Sequence, residues 1–198
     1  MTSDIIDALT GVVPGSGVDG LRRQRGQART NTQASYDALF AAPDQTGASH
    51  AERLAVAAFV SALHGVASAQ DHYAGSLAEA AGPELADLVR AVAAAAVAEG
   101  PYGRFPATTD LRAEDAMGPV FQLDAATATT LGGRLTAALE HAHLLVFRPR
   151  ESSPEALTSL RAAGWSTAAI VTLSQLVAFL SFQLRVVHGL RVLKESQS

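Results

Sequence analysis

The sequence predicts an all-α protein, a helical bundle built from two tandem cores. Three observations carry this. Apolar residues recur at helical spacing, as in Ile170, Leu173, Val177, Leu180, Leu184 and Val187, while the alternation that marks strands is nearly absent. Alanine-rich runs such as Ala93–Ala96 favour helix, and glycine or proline falls where the periodic segments end. The third is an internal repeat. Arg53-Leu54 followed by Ala80-Ala81-Gly82 returns as Arg134-Leu135 followed by Ala162-Ala163-Gly164, at offsets of 81 and 82 residues. In both copies a long apolar helix leads to a glycine stop and a second apolar helix.

Residues 1–48 read as an N-terminal arm with short helices. Met1–Asn31, with Pro14-Gly15 and Gly17 as breakers, is expected to be extended apart from one short helix over Asp4–Thr10. A helix is expected over Thr32–Ala41, then a loop at Pro43-Asp44 and Gly47. The first core spans 49–100. Ser49 and Glu52 form a capping box, opening a helix from His50 to Ala81 with a kink near Gly65. Gly82-Pro83 stops it and starts another, to Glu99. Residues 101–123, rich in proline and glycine, form a connection with one turn near Asp110–Ala116. The second core, 124–198, begins with a helix over Asp124–Phe147 and breaks at Pro149. Pro154–Ala163 is the next helix. Gly164 ends it, and Ser166 caps a last helix that runs to Lys194.

Composition narrows the function. Of 198 residues 48% are hydrophobic and 17% charged, which excludes a disordered chain. A net charge of −4 with no basic face argues against nucleic acid. The one basic cluster, Arg22, Arg23, Arg25 and Arg29, could touch a phosphate or form a solvated or interface-bound arm. With no cysteine there is no disulfide, thiolate nucleophile or cysteine metal site. Met1–Asp7 has no basic residue of the kind that opens a signal peptide. The longest apolar stretch, Ala168–Leu184, is short for a span of about 20 residues and is interrupted by serine and glutamine. These readings give a cytoplasmic protein with no membrane partner. The last helix is apolar nearly all round, more than one small subunit covers, so a homo-oligomer with Phe179–Leu193 at its interface is expected.

Ser61, His64, Ser68 and His72 fall on one side of the first long helix, with Asp71 just off it. They form either a small acid–base pocket or histidines that are hydrogen-bonded at a helix contact or exposed. On the last helix Ser174, Ser181, Arg185 and His188 make a polar line. Arg185 is either a structural salt bridge, with Glu52 or Glu140 as its carboxylate, or the arginine of an anion pocket. His64 and His72 lie about 12 Å apart along a helix, too far to share one ion. Glu140 and His143 have a Glu-x-x-His spacing, but a di-iron site needs a second such pair. No metal and no cofactor is expected.

Gly164-Trp165-Ser166, Ile170–Phe179 and Arg185-Val186-Val187-His188-Gly189-Leu190 resemble the closing helix of the carboxymuconolactone decarboxylase / alkylhydroperoxidase D-like superfamily, and of a peroxidase-related subgroup within it. Glu52 through Ala62 is similar to that family's catalytic helix, and the resemblance covers roughly 49–193. It implies that each repeat is one such helical core. It also implies an oxidoreductase or decarboxylase acting on a small molecule, with a Cys-x-x-Cys pair near the end of the first helix. Alignment on Gly65 puts Val66 and Ala69 at the cysteine positions; alignment on Glu52 puts His64 and Ala67 there. The thiol mechanism therefore does not carry over. The resemblance leaves Glu52 and His72 as relay positions for non-thiol acid–base chemistry. The expected site is Glu52, His64, Ser68 and His72, with Arg185 holding an acidic small-molecule substrate. The alternative is an inactive binding or partner subunit of the same fold.

Overall fold

A computed structural model describes residues 4–41 and 47–196, and the described residues are helical with no strand. The loop expected at Pro43-Asp44 lies outside them. Ten α-helices follow in order: α1 Ile5–Thr10, α2 Gly17–Gln24, α3 Gly26–Phe40, α4 His50–Leu63, α5 Ala67–Ala81, α6 Pro83–Ala96, α7 Ala125–Leu131, α8 Gly133–Phe147, α9 Thr158–Ala162 and α10 Thr167–Glu195. The all-α reading holds.

Helix α4 is the axis of the bundle. Every side chain from Arg53 to Ser61 is buried, and α3, α5, α6, α8 and α10 pack around it. Its start follows from local chemistry. Ser49 accepts from the Glu52 amide while the Glu52 carboxylate accepts from the Ser49 amide. α6 starts on Pro83, directly after Gly82.

The N-terminal segment departs from the expectation in part. Helix α1 matches the short helix expected over Asp4–Thr10 and α3 takes in most of the one expected over Thr32–Ala41, but α2 and the first turns of α3 replace the extended chain between them, and Ile5, Ile6 and Leu9 join the common core. Three arginines of the cluster are paired within the chain rather than held out on an arm. Arg22 lies 2.6 Å from Asp4 and 2.7 Å from Asp7, Arg23 lies 2.6 Å from Asp19, and Arg29 reaches all three aspartates. Asp4 and Ser16 also cap α1 and α2. Local composition weighed against helix here, and ion pairs across 18 to 25 residues outweigh it.

Three predicted helices are also divided or shortened. The segment from His50 to Ala81 breaks at Gly65, which takes φ +68°, and that from 124 to 147 breaks at Gly132, φ +79°. The helix expected over Pro154–Ala163 shrinks to α9. At the two stretches of the sequence repeat the helices differ in length: α9 has 5 residues where α5 has 15.

Helix α10 is buried on one side only, through residues such as Ile170, Leu173, Leu180 and Leu184. Val171, Phe182 and Val192 on its other sides are about half exposed. By length and composition α10 is long and apolar enough to cross a membrane, yet 44% of its most apolar window is buried against the bundle.

Candidate functional site

The site expected from sequence centres on the junction between α4 and α5. Gly65 adopts a left-handed conformation that a residue with a Cβ rarely takes, and this ends α4. His64 becomes its C-cap, with its amide bonded to Val60 O. α5 starts after Val66, so Ser68 sits in its first turn and His72 four residues on, on the same face.

Two polar atoms at this junction are buried with no hydrogen-bond partner: His64 Nε2 and Ser68 Oγ. Each such group costs roughly 1–3 kcal/mol. Burial, followed by the positive charge of Arg185, pushes the His64 pKa down to about 4, so the imidazole is neutral near pH 7. His72 is differently placed. Its Nε2 lies 3.0 Å from Tyr36 Oη, and its ring meets Tyr73 edge-on at 4.9 Å. Burial lowers its pKa as well.

Ser68 borders a cavity of about 390 Å³ between α1, α5 and the end of α10. Thr10, Arg191, Lys194 and Glu195 line it too, and Lys194 Nζ donates to Gly11 O at 2.8 Å. Two cationic side chains and one carboxylate thus line this cavity. Arg191 and Lys194 are the residues that the sequence reading missed. A signal for Arg191 existed: the polar line Ser174, Ser181, Arg185, His188 continues to Arg191 and Glu195 at spacings of three and four. Tyr36 had none, because it reaches His72 from another helix.

Glu52 is not brought into this site, and Arg185 reaches it only through its charge, which acts on His64. About 18 Å of helix separates Glu52 from His64 at 1.5 Å per residue. Glu52 instead holds Arg134, with Nε 2.8 Å from Oε1. Burial works to raise its pKa, but the Arg134 guanidinium and the Ser49 amide outweigh that and keep the carboxyl below its usual range. Arg134 also donates to Gly47 O and Gly164 O, and its guanidinium lies 4.3 Å from the centre of the Trp165 ring. Arg185 is exposed, and its Nη1 donates to Ser181 O of its own helix. The expected salt bridge to Glu52 or Glu140 is absent. Glu140 Oε1 accepts from the Leu123 amide. Facing an apolar helix, sequence could not say which carboxylate an arginine would find.

A second polar group lies on α8. His141 Nε2 is 3.2 Å from Ser174 Oγ, and His143 Nε2 is 3.0 Å from Ala96 O. A carbonyl only accepts, so that nitrogen carries the proton and is committed to it. His143 stacks on Phe121 with centroids 4.7 Å apart. With Glu140 and Arg148 the two histidines border a cavity of about 130 Å³. Among the described residues no three His, Asp or Glu side chains gather as a metal site would require. Compared with known proteins, the sequence matches no family model and no curated protein.

Proposed function

We propose that this chain is a cysteine-free member of the carboxymuconolactone decarboxylase / alkylhydroperoxidase D-like superfamily, built from two tandem cores of that type. On this reading it is peroxidase-related by descent and decarboxylase-like in chemistry, acting on a small organic acid by proton transfer. The observation that carries the reading is the pair of unpartnered buried atoms, His64 Nε2 and Ser68 Oγ. They flank Val66, which alignment on Gly65 puts at a cysteine position, while alignment on Glu52 puts His64 itself there, and Ser68 borders a cavity lined by Arg191 and Lys194. A protein rarely retains buried polar atoms unpaired where only packing is at stake. Arg191 and Lys194 would hold the substrate carboxylate. The neutral His64 would accept a proton as the substrate settles against the junction, with Ser68 donating to the oxygen on which charge develops.

The test is an NMR titration of the full chain with 5-oxotetrahydrofuran-3-carboxylate, a stable γ-lactone carboxylate. Amide shifts confined to Ser68, Thr10, Arg191 and their neighbours support the reading, as does their loss in Arg191→Glu. Shifts absent from this region at millimolar ligand contradict it. Dithiol-coupled peroxide reduction is expected to be absent, since the chain has no thiol to oxidise.

One observation favours a second reading, a catalytically inactive partner subunit. Glu52 is sealed in the Arg134 network and His72 is bonded to Tyr36, so both relay positions named by the resemblance have structural employment.

A further inference from the structure

The arginine cluster of α2 and α3 has a charge count that leaves a remainder. Arg22, Arg23 and Arg29 are taken up by Asp4, Asp7 and Asp19. Arg25, at the junction of the two helices, has no ion pair among the described residues, and the N-terminus of α3 beside it has no side-chain cap. The C-terminus of α2 meets the N-terminus of α3 at the same residue and offsets its dipole, so the charge left unbalanced there is the Arg25 guanidinium.

That place opens on a cavity of about 420 Å³, within the range of small-molecule pockets, between α2, α3 and α10. Its walls are mostly apolar: Ile6, Leu21, Ala28, Phe182, Val186 and Leu190. Leu21 and Phe182 are 42% and 48% exposed, unusual for large apolar side chains with a concavity between them. We infer that this cavity binds a single-chain anionic amphiphile, with its hydrocarbon against Leu21, Phe182 and Val186 and its carboxylate on Arg25. The charge sets the headgroup. The Arg22 and Arg29 guanidiniums on the same wall are already neutralised, so one anion balances the one remaining cation. The site is separate from the α4–α5 junction and does not depend on the function proposed there.

Isothermal titration of the full chain with sodium decanoate, below its micelle concentration, tests this. One decanoate binds per chain, and decyltrimethylammonium, with the same tail and opposite head, binds at least about tenfold more weakly. Arg25→Glu weakens decanoate about tenfold, Arg25→Gln less, and Leu21→Asp removes binding. Both positions are exposed, and an unchanged far-UV circular dichroism spectrum verifies that each variant folds. Equal affinity for the two headgroups, or binding unaffected by Arg25→Glu and Leu21→Asp, overturns the inference. The sequence expectation of a second copy on this face gives another opposing result. A dimer by light scattering that Phe182→Asp dissociates, in a wild type that binds no decanoate, assigns the groove to self-association instead.

Discussion

The two ends of α4 differ in how completely their polar groups are satisfied. At the N-terminal end Ser49, Glu52 and Arg134 bond one another, and Arg134 goes on to two carbonyls and the Trp165 ring. At the C-terminal end His64 Nε2 and Ser68 Oγ are buried and bond nothing. The same helix thus carries a closed network that fixes structure and an open one that costs stability. The difference assigns structural work to the first end, and the proposed function gives the second a ligand to hold.

The largest effect should come from the closed end. Arg134→Ala leaves the Glu52 carboxylate with the Ser49 amide alone and gives two exposed carbonyls back to water, and with the lost Trp165 contact it should lower stability by about 1–2 kcal/mol, read as a fall in the urea midpoint with an unchanged slope. A loss under about 0.5 kcal/mol would make this network no more than a solvated ion pair.

Acid separates the two ends. The unfolded chain protonates His64 at its ordinary value of 6.5, the folded chain only at about 4. Stability from the neutral imidazole is complete above pH 6.5 and is lost as pH falls from 6.5 toward 4. The Glu52 pKa is lowered from 4.5, so its contribution is present above that value and is lost as pH falls below it. His64→Gln should therefore flatten the stability curve in the upper window and Glu52→Gln in the lower one. Chemical denaturation from pH 3 to 8 checks both, and the same change of slope in both variants would abolish the distinction.

Two serines give the smallest and most discriminating effects. Ser49→Ala removes a working N-cap and should cost about 1 kcal/mol. Ser68→Ala removes an unpaired hydroxyl and should be neutral or stabilising by up to about 1 kcal/mol. A matching loss at Ser68 would reveal a hydrogen bond there and close the open end.

What sequence could show follows the range of the interaction. The Ser49–Glu52 box and the Gly82-Pro83 stop are local and were readable from neighbouring residues, and Gly65 was legible as a kink though the helix in fact ends there. Partners across long separations were not. Arg134 meets Glu52 from 82 residues away, while Arg185 looked an equally good candidate. Helix α2 and the first turns of α3 were missed for a related reason: their glycines and threonines read as extended chain until Asp4 and Asp7 are placed beside Arg22 and Arg29. The histidine line was half legible. Spacing put Ser68 and His72 on one face, but Tyr36, which decides that His72 is bonded while His64 is not, comes from a helix with no signal pointing toward it.

The most direct test of the open end is the titration of the His64 imidazole, followed by proton–nitrogen correlation NMR with and without 5-oxotetrahydrofuran-3-carboxylate. The account predicts a neutral ring at pH 7, a midpoint near 4 in the free protein, and a changed Nε2 shift when the ligand is added. A midpoint near 6.5 together with a ring indifferent to ligand would contradict it, and would make the α4–α5 junction an ordinary helix break.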